Sequence, residues 1–196
     1  MIKALLFTFE PGVTWERILA HKKSPGFVFF IYFLPLLLIS QVAEVAGLSH
    51  FGHRNEISGA ITHFQPRFLQ IYAVSELVLN LVAIGLCIQM VKAFGDTFHS
   101  RHQYAECLIV TLYSLSPVFL FRMLDAFPWM SPWVSLGIGL VLFWRALYPG
   151  IPRVLEPDPP QTFGLYLSSA IAISVIIALG RFLTLLVLDK KFSFLN

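Results

Sequence analysis

Residues 164–188 read GLYLSSAIAISVIIALGRFLTLLVL, and Arg181 is the only charged side chain in this run. A helix rises about 1.5 Å per residue, so about 20 apolar residues cross the hydrocarbon core of a membrane, which is about 30 Å thick. The run is therefore predicted to be a membrane-spanning helix.

Four earlier stretches have the same character. The whole chain has 196 residues, of which 57% are hydrophobic and 13% are charged, with a mean hydropathy of +0.73. Soluble domains carry about 25% charged residues. The predicted spans hold six of the 25 charged side chains; they cover residues 27–48, 68–91, 105–124, 128–148 and 164–188.

This pattern predicts an all-α fold, an integral membrane bundle of five transmembrane helices. We expect one domain over residues 26–190, an N-terminal interfacial segment over 1–25 and a short tail over 191–196. The composition argues against a soluble enzyme, a secreted disulfide scaffold and a nucleic-acid-binding domain. Cys87 and Cys107 are expected to be buried thiols packed between helices.

The N-terminal segment contains one amphipathic stretch. Thr14 can cap a helix on which Trp15, Ile18 and Leu19 share one face. One interpretation is a short helix on the inner membrane surface, with Trp15 among the lipid headgroups. The other is a simple flank that orients the first span.

The basic residues predict an orientation. With the N-terminus in the cytoplasm, eight Lys and Arg residues lie on the cytoplasmic side and five lie outside. Cytoplasmic loops carry an excess of Lys and Arg. We therefore expect a cytoplasmic N-terminus and an external C-terminus.

Three charged residues lie deep within the spans. Glu44, Glu76 and Arg181 all fall in the outer half of the membrane, and Asn80 lies one helical turn from Glu76. We predict that Arg181 pairs with Glu76 or Glu44 and that Asn80 forms a hydrogen bond between helices. Arg122, at the end of its span, is expected to extend towards the membrane surface.

Such a cluster permits two interpretations. A buried ion pair can fix how the helices pack, or it can belong to a small transporter or channel. Transporters commonly show internal repeats, and none is visible here. The structural role is therefore favoured.

Other chemical motifs are weak. The pairs His50 and His53, and His99 and His102, have a spacing compatible with metal ligation, but neither has a clear third ligand, so we expect no metal site. Nucleophile elbows, zinc-protease motifs and phosphate-binding loops are missing from the sequence, and we expect no enzymatic activity and no cofactor.

Prolines predict two further features. Pro117 follows Ser114 and Ser116, whose hydroxyls can satisfy carbonyl groups that a proline leaves free within a helix. The five prolines between residues 149 and 163 are expected to impose an extended loop.

Several segments together resemble the Yip family, named for proteins that interact with Ypt/Rab GTPases. The N-terminal stretch 10–18, EPGVTWERI, is similar to the "P-x-x-x-[FW]-x-x-I" opening of bacterial members. Tyr113-Ser114-Leu115-Ser116-Pro117 is similar to a "Y-S-x-x-P" element, and Leu147-Tyr148-Pro149-Gly150-Ile151-Pro152 to an "L-Y-x-G-x-P" element. Phe94-Gly95-Asp96 stands where the family often has two glycines. The positions that match are Pro11, Trp15, Ile18, Gly95, Tyr113, Pro117, Gly150 and Pro152.

The resemblance implies a five-span protein in a bacterial inner membrane, with no catalytic residues to transfer. Eukaryotic relatives bind GTPases through a long cytosolic region, whereas this chain has about 25 residues there. We therefore expect an accessory or scaffold subunit whose partners are membrane lipids and a larger integral membrane protein or complex. A membrane-shaping role is a third and weaker possibility.

Overall fold

The computed structural model describes residues 10–21, 23–54, 61–98 and 103–189. His99, His102 and the tail 191–196 lie outside the described residues. Five helices are long and apolar enough to cross a membrane, which confirms the predicted all-α bundle. The helices are α1 (Pro11–Ala20), α2 (Pro25–Phe51), α3 (Pro66–Thr97), α4 (Tyr104–Phe121), α5 (Pro132–Val154) and α6 (Thr162–Asp189).

Two smaller elements connect these helices. A 3₁₀ helix, Arg122–Ala126, continues directly from α4. Strands β1 (His53–Arg54) and β2 (Ile61–Thr62) form a short antiparallel ladder between α2 and α3. Gly52 ends α2 with a φ of 76°, a backbone conformation that residues with a side chain rarely adopt.

The helix starts follow from local sequence. Proline occupies an initial position of α1, α2, α3 and α5, where its missing N–H needs no partner. Helix α4 instead begins with a capping box in which the Glu106 carboxylate accepts the backbone N–H of Gln103 at 2.8 Å.

Helix α2 is not uniformly α-helical. Its residues Val28–Phe33 form a π-helical segment, which ends just before Pro35. Proline cannot donate to the carbonyl group four residues earlier, and widened turns are one way a helix accommodates such a break.

The prediction of an extended loop over residues 149–163 was wrong for residues 149–154. Helix α5 continues through Pro149 and Pro152 to Val154. The reason is tertiary: Trp15 packs against this last part of α5, and its indole Nε1 donates to the carbonyl of Ala146 at 2.8 Å. Packing thus outweighs the hydrogen bonds that the two prolines remove.

The main core receives buried side chains from all six helices. Its largest fully buried side chains include Trp15, Phe33, Tyr113, Phe119 and Phe143. Large apolar side chains also cover the outside of the spans, for example Phe30, Val42, Val74, Val141 and Leu179. An apolar exterior of this kind is what contact with lipid requires.

Candidate functional site: a buried ionic cluster

Five charged side chains meet inside the bundle and are here called the ionic cluster: Glu44, Glu76, Arg122, Asp125 and Arg181. They come from α2, α3, the 3₁₀ helix and α6. The three carboxyl side chains are 1–2% exposed, and the two arginine side chains are 5% and 12% exposed. Buried charges persist only when they are paired and hydrogen-bonded.

Glu44 is the centre of the cluster. Its Oε1 accepts from Arg181 Nη1 at 2.8 Å and from the Tyr72 hydroxyl at 2.9 Å. Its Oε2 accepts from Arg122 Nε at 3.0 Å. One carboxylate on α2 is therefore bound from α3, α6 and the 3₁₀ helix.

Arg122 connects Glu44 to α3. Its Nη2 donates to Glu76 Oε1, and its Nη1 donates to Asn80 Oδ1 at 3.1 Å. Glu76 and Asn80 lie one turn apart on α3 and so face the same guanidinium. Three nitrogens of this guanidinium therefore bind three different side chains, which fixes its orientation.

Arg181 connects the cluster to the far side of the bundle. Besides Glu44, its Nη2 donates to Asp125 Oδ2 at 2.6 Å, and its Nη1 lies 3.6 Å from Glu76 Oε1. The other Asp125 oxygen accepts from the hydroxyl of Ser135 on α5. Polar contacts therefore reach all five spanning helices.

A small cavity adjoins the cluster. Its volume is about 20 Å³, and its polar lining consists of Asn80, Arg122, Asp125, Ser135 and Arg181. A cavity of this size holds about one water molecule when polar partners surround it. A larger solute does not fit there in this conformation.

The four residues predicted from the sequence, Glu44, Glu76, Asn80 and Arg181, are brought together by the fold. The structure pairs Arg181 directly with Glu44, at a shorter distance than with Glu76. Asn80 makes its contact between helices with Arg122.

Two members of the cluster were missed. The expectation that Arg122 extends to the membrane surface was wrong, because the 3₁₀ helix turns its side chain inward to the two glutamates. Asp125 falls between the predicted spans 105–124 and 128–148, and the structure buries it against Arg181. The charges within the spans gave a signal that could have predicted a further member, because the two carboxylates Glu44 and Glu76 need more than one cation and Arg181 supplies only one.

Three of the family-motif residues, Trp15, Tyr113 and Gly150, form a second packed group centred on Trp15. Its ring contacts Tyr113 edge to face, with centroids 6.0 Å apart, and a Cβ placed on Gly150 would lie 2.7 Å from Trp15 Cζ2. The predicted position of Trp15 at the headgroups was therefore wrong: it is fully buried in the bundle. An amphipathic face can pack on protein as well as on lipid.

The other motif positions have structural places of their own. Pro11 begins α1 and Ile18 is buried on the same helix. Gly95 is buried near the end of α3, and Pro152 lies within α5.

Pro117 lies in α4, where the expectation that serine hydroxyls bind freed carbonyl groups is confirmed for Ser116 but not for Ser114, whose buried hydroxyl has no hydrogen-bond partner in the described part of the chain. The Ser116 hydroxyl donates to the carbonyl of Tyr113 at 2.7 Å. This is the carbonyl group that Pro117, which has no N–H, leaves without its usual donor. Cys87 and Cys107 are both buried free thiols, as expected.

These features define an integral membrane protein built as a five-helix bundle around a buried ionic cluster. The Yip1 domain matches residues 4–182, and the chain therefore belongs to the Yip1 domain family. No curated protein and no solved structure matches the chain.

Proposed function

We propose that this protein is a non-enzymatic accessory or scaffold subunit that packs against another integral membrane protein. The observation that carries the proposal is a groove between α2 and α3 on the outside of the bundle. Its volume is about 420 Å³, and it is lined by Leu38, Gln41, Val42, Val45, Ala46, Ser49, Ala73, Val74 and Leu77. We call it the α2–α3 groove.

The lining of the α2–α3 groove suits a helix of a partner protein. Ala46, Ser49 and Ala73 are small, and small residues let the backbones of membrane helices approach closely. The two polar side chains already bond within the chain, since Gln41 donates to the carbonyl of Ala73 and Ser49 donates to that of Ala46. The groove therefore offers a mainly apolar surface.

The proposal also includes the orientation of the protein and the membrane in which it lies. The excess of Lys and Arg on one side supports a cytoplasmic N-terminus and an external C-terminus, and the family resemblance supports a bacterial inner membrane. The remaining apolar faces contact membrane lipids. Tags fused to either terminus, tested for protease access in intact cells and in inverted vesicles, check the orientation.

Site-specific photocrosslinking in native membranes tests the groove. A crosslinker at Val42, which is 67% exposed in the groove, is compared with one at Val141, which is 70% exposed on α5. We expect one discrete polypeptide to be captured from Val42 and not from Val141. Capture of lipid alone, or equal capture from both positions, contradicts the proposal.

Filling the groove provides the matched control. Ala46 is exposed in the groove and Ala93 is exposed on α3 away from its lining. We expect Ala46→Phe to abolish the crosslink from Val42 and Ala93→Phe to leave it unchanged. Loss in both variants would show that the added ring acts through something other than the groove.

The alternative function is a small transporter or channel that uses Glu44, Glu76, Asn80 and Arg181. The cluster favours the scaffold role, because its polar groups bind one another and the adjoining cavity has room for about one water molecule. Solute flux through the purified protein in liposomes would instead favour the transporter. Deformation of the same liposomes would favour a membrane-shaping role.

A further inference from the structure

The charges of the ionic cluster do not balance. Three carboxyl groups, Glu44, Glu76 and Asp125, face two guanidinium groups, Arg122 and Arg181. If all five are ionised, the cluster carries a net charge of −1 in a site where the carboxyl side chains are 1–2% exposed.

The surroundings of Glu76 supply no further cation among the described residues of the cluster. Its own helix contributes Tyr72, whose hydroxyl lies 3.3 Å from Glu76 Oε1, and Asn80. Helix α2 contributes Glu44, the 3₁₀ helix contributes Arg122 and Asp125, and α6 contributes Arg181. An isolated charge in a low-dielectric interior is so costly that a group of this kind usually takes up a proton instead.

The hydrogen bonds identify the carboxyl group that has room for a proton. Both oxygens of Glu44 accept from guanidinium groups of the cluster. Asp125 Oδ2 accepts from Arg181, and Asp125 Oδ1 is partnered by the hydroxyl of Ser135, which also lies 3.0 Å from the carbonyl of Pro132. Glu76 is different: Arg122 donates to its Oε1, which also lies 3.3 Å from the Tyr72 hydroxyl, while its buried Oε2 has no hydrogen-bond partner among the described residues.

We propose that the ionic cluster binds one proton, carried as the hydroxyl of a neutral Glu76 carboxylic acid at Oε2. The proton makes the cluster electrically neutral and leaves Glu76 Oε1 as the acceptor for Arg122. Glu44 and Asp125 stay ionised, because both oxygens of each have a hydrogen-bond partner, whereas Oε2 of Glu76 has none. The proposal is independent of the partner suggested above.

Infrared spectroscopy of the whole protein in detergent at neutral pH tests this proposal. A protonated carboxylic acid has a carbonyl stretch distinct from carboxylate bands, and its frequency falls when D₂O replaces H₂O. Exposed carboxyl groups are ionised at this pH and do not contribute. We expect the wild type to show one such band, and its absence would overturn the proposal.

Two variants assign the band. Glu76→Gln should abolish it, and Glu16→Gln, at an exposed carboxylate on α1, should leave it unchanged. Asp125→Asn should also abolish it although Glu76 is still present, because two carboxylates then balance two guanidinium groups. Persistence in Glu76→Gln would place the proton elsewhere, and persistence in Asp125→Asn would show that charge balance is not its cause.

Asp125→Asn also keeps the test decisive if Glu76→Gln does not fold.

The competing explanation is that a metal cation, instead of a proton, neutralises the cluster. The band is expected to be unchanged when sodium or potassium chloride is added at constant pH, and its loss on adding either salt would overturn the proposal in favour of a cation site.

Discussion

The indole Nε1 of Trp15 donates to the backbone carbonyl of Ala146, which follows it by 131 residues in the chain. Trp15 also lies against Gly150, one turn further along α5, and against Tyr113 on α4. The short α1 helix is thereby held to the end of α5 that contains two prolines. Residues that look like separate motifs in the sequence are thus one packing unit.

Gly150→Ala should destabilise the protein. The added Cβ would lie 2.7 Å from Cζ2 and 2.8 Å from Cε2 of Trp15. The rigid indole has little freedom to move away, because the adjacent Nε1 is hydrogen-bonded to the carbonyl of Ala146. Overpacking of this kind costs about 1–3 kcal/mol. The midpoint of thermal unfolding in mild detergent measures the effect.

Gly137→Ala is the control on the same helix. A Cβ at Gly137 meets no atom within 4 Å, and alanine favours a helix over glycine by about 0.5–1 kcal/mol. The control should therefore melt at the same temperature as the wild type or slightly above it. Equal losses in the two variants would show that Trp15 is not the cause.

Arg181→Gln should destabilise the bundle far more than Arg153→Gln. Arg181 is buried and binds Glu44 and Asp125. Its loss leaves Asp125 without its cation and Glu44 with only one of its two, at a cost of about 3–5 kcal/mol. Arg153 lies 3.6 Å from Glu16 in a pair that is 36% and 68% exposed, where the expected loss is at most about 1 kcal/mol. Thermal unfolding of both variants, with folding checked by gel filtration, measures the difference.

High salt gives a second readout for this comparison. Exposed pairs are screened by salt and buried pairs much less so. The small effect of Arg153→Gln should therefore shrink further at high salt, whereas that of Arg181→Gln should persist. An Arg181 effect that vanishes with salt would contradict the buried position of the ion pair.

The sequence was sufficient to predict the five helices and three of the five charged residues of the cluster, for a physical reason. Hydropathy is read along the chain, and a charge such as Glu44, Glu76 or Arg181 stands out within an apolar span. Arg122 and Asp125 lie where a span ends, and there the same residues can point to water or inward. The direction of their side chains depends on the 3₁₀ helix after α4. The hydrophobic periodicity of the sequence does not predict that helix.

The apolar face of α1, which carries Trp15, shows the same limit of prediction from the sequence. The pattern on α1 predicts which residues share a side of the helix, and Trp15 and Ile18 do lie together in the core. It does not tell whether that side meets lipid or protein. The partner surface at Ala146 and Gly150 is distant in sequence, and Gly150 lies in the segment whose prolines predict a loop.

The thiols of Cys87 and Cys107 should resist labelling in the folded protein. Both residues are 0% exposed, and a buried thiol is inert towards reagents that need access. We expect no reaction with a small maleimide in mild detergent and two labels per chain after denaturation, counted by intact mass. Tyr148→Cys, at a position that is 61% exposed, should add one label under native conditions, and labelling of Cys87 or Cys107 at a similar rate would contradict the packing.

Ser116→Ala should destabilise α4 only when Pro117 is present. The Ser116 hydroxyl replaces the backbone N–H that Pro117 cannot donate to the carbonyl of Tyr113, and losing a buried hydrogen bond costs about 1 kcal/mol, or up to about 3 when the acceptor stays unsatisfied. In a Pro117→Ala background the N–H of residue 117 can bind the same carbonyl, so Ser116→Ala should cost much less. A double-mutant cycle of thermal stability measures the coupling; additive effects would show that the hydroxyl and the proline act independently.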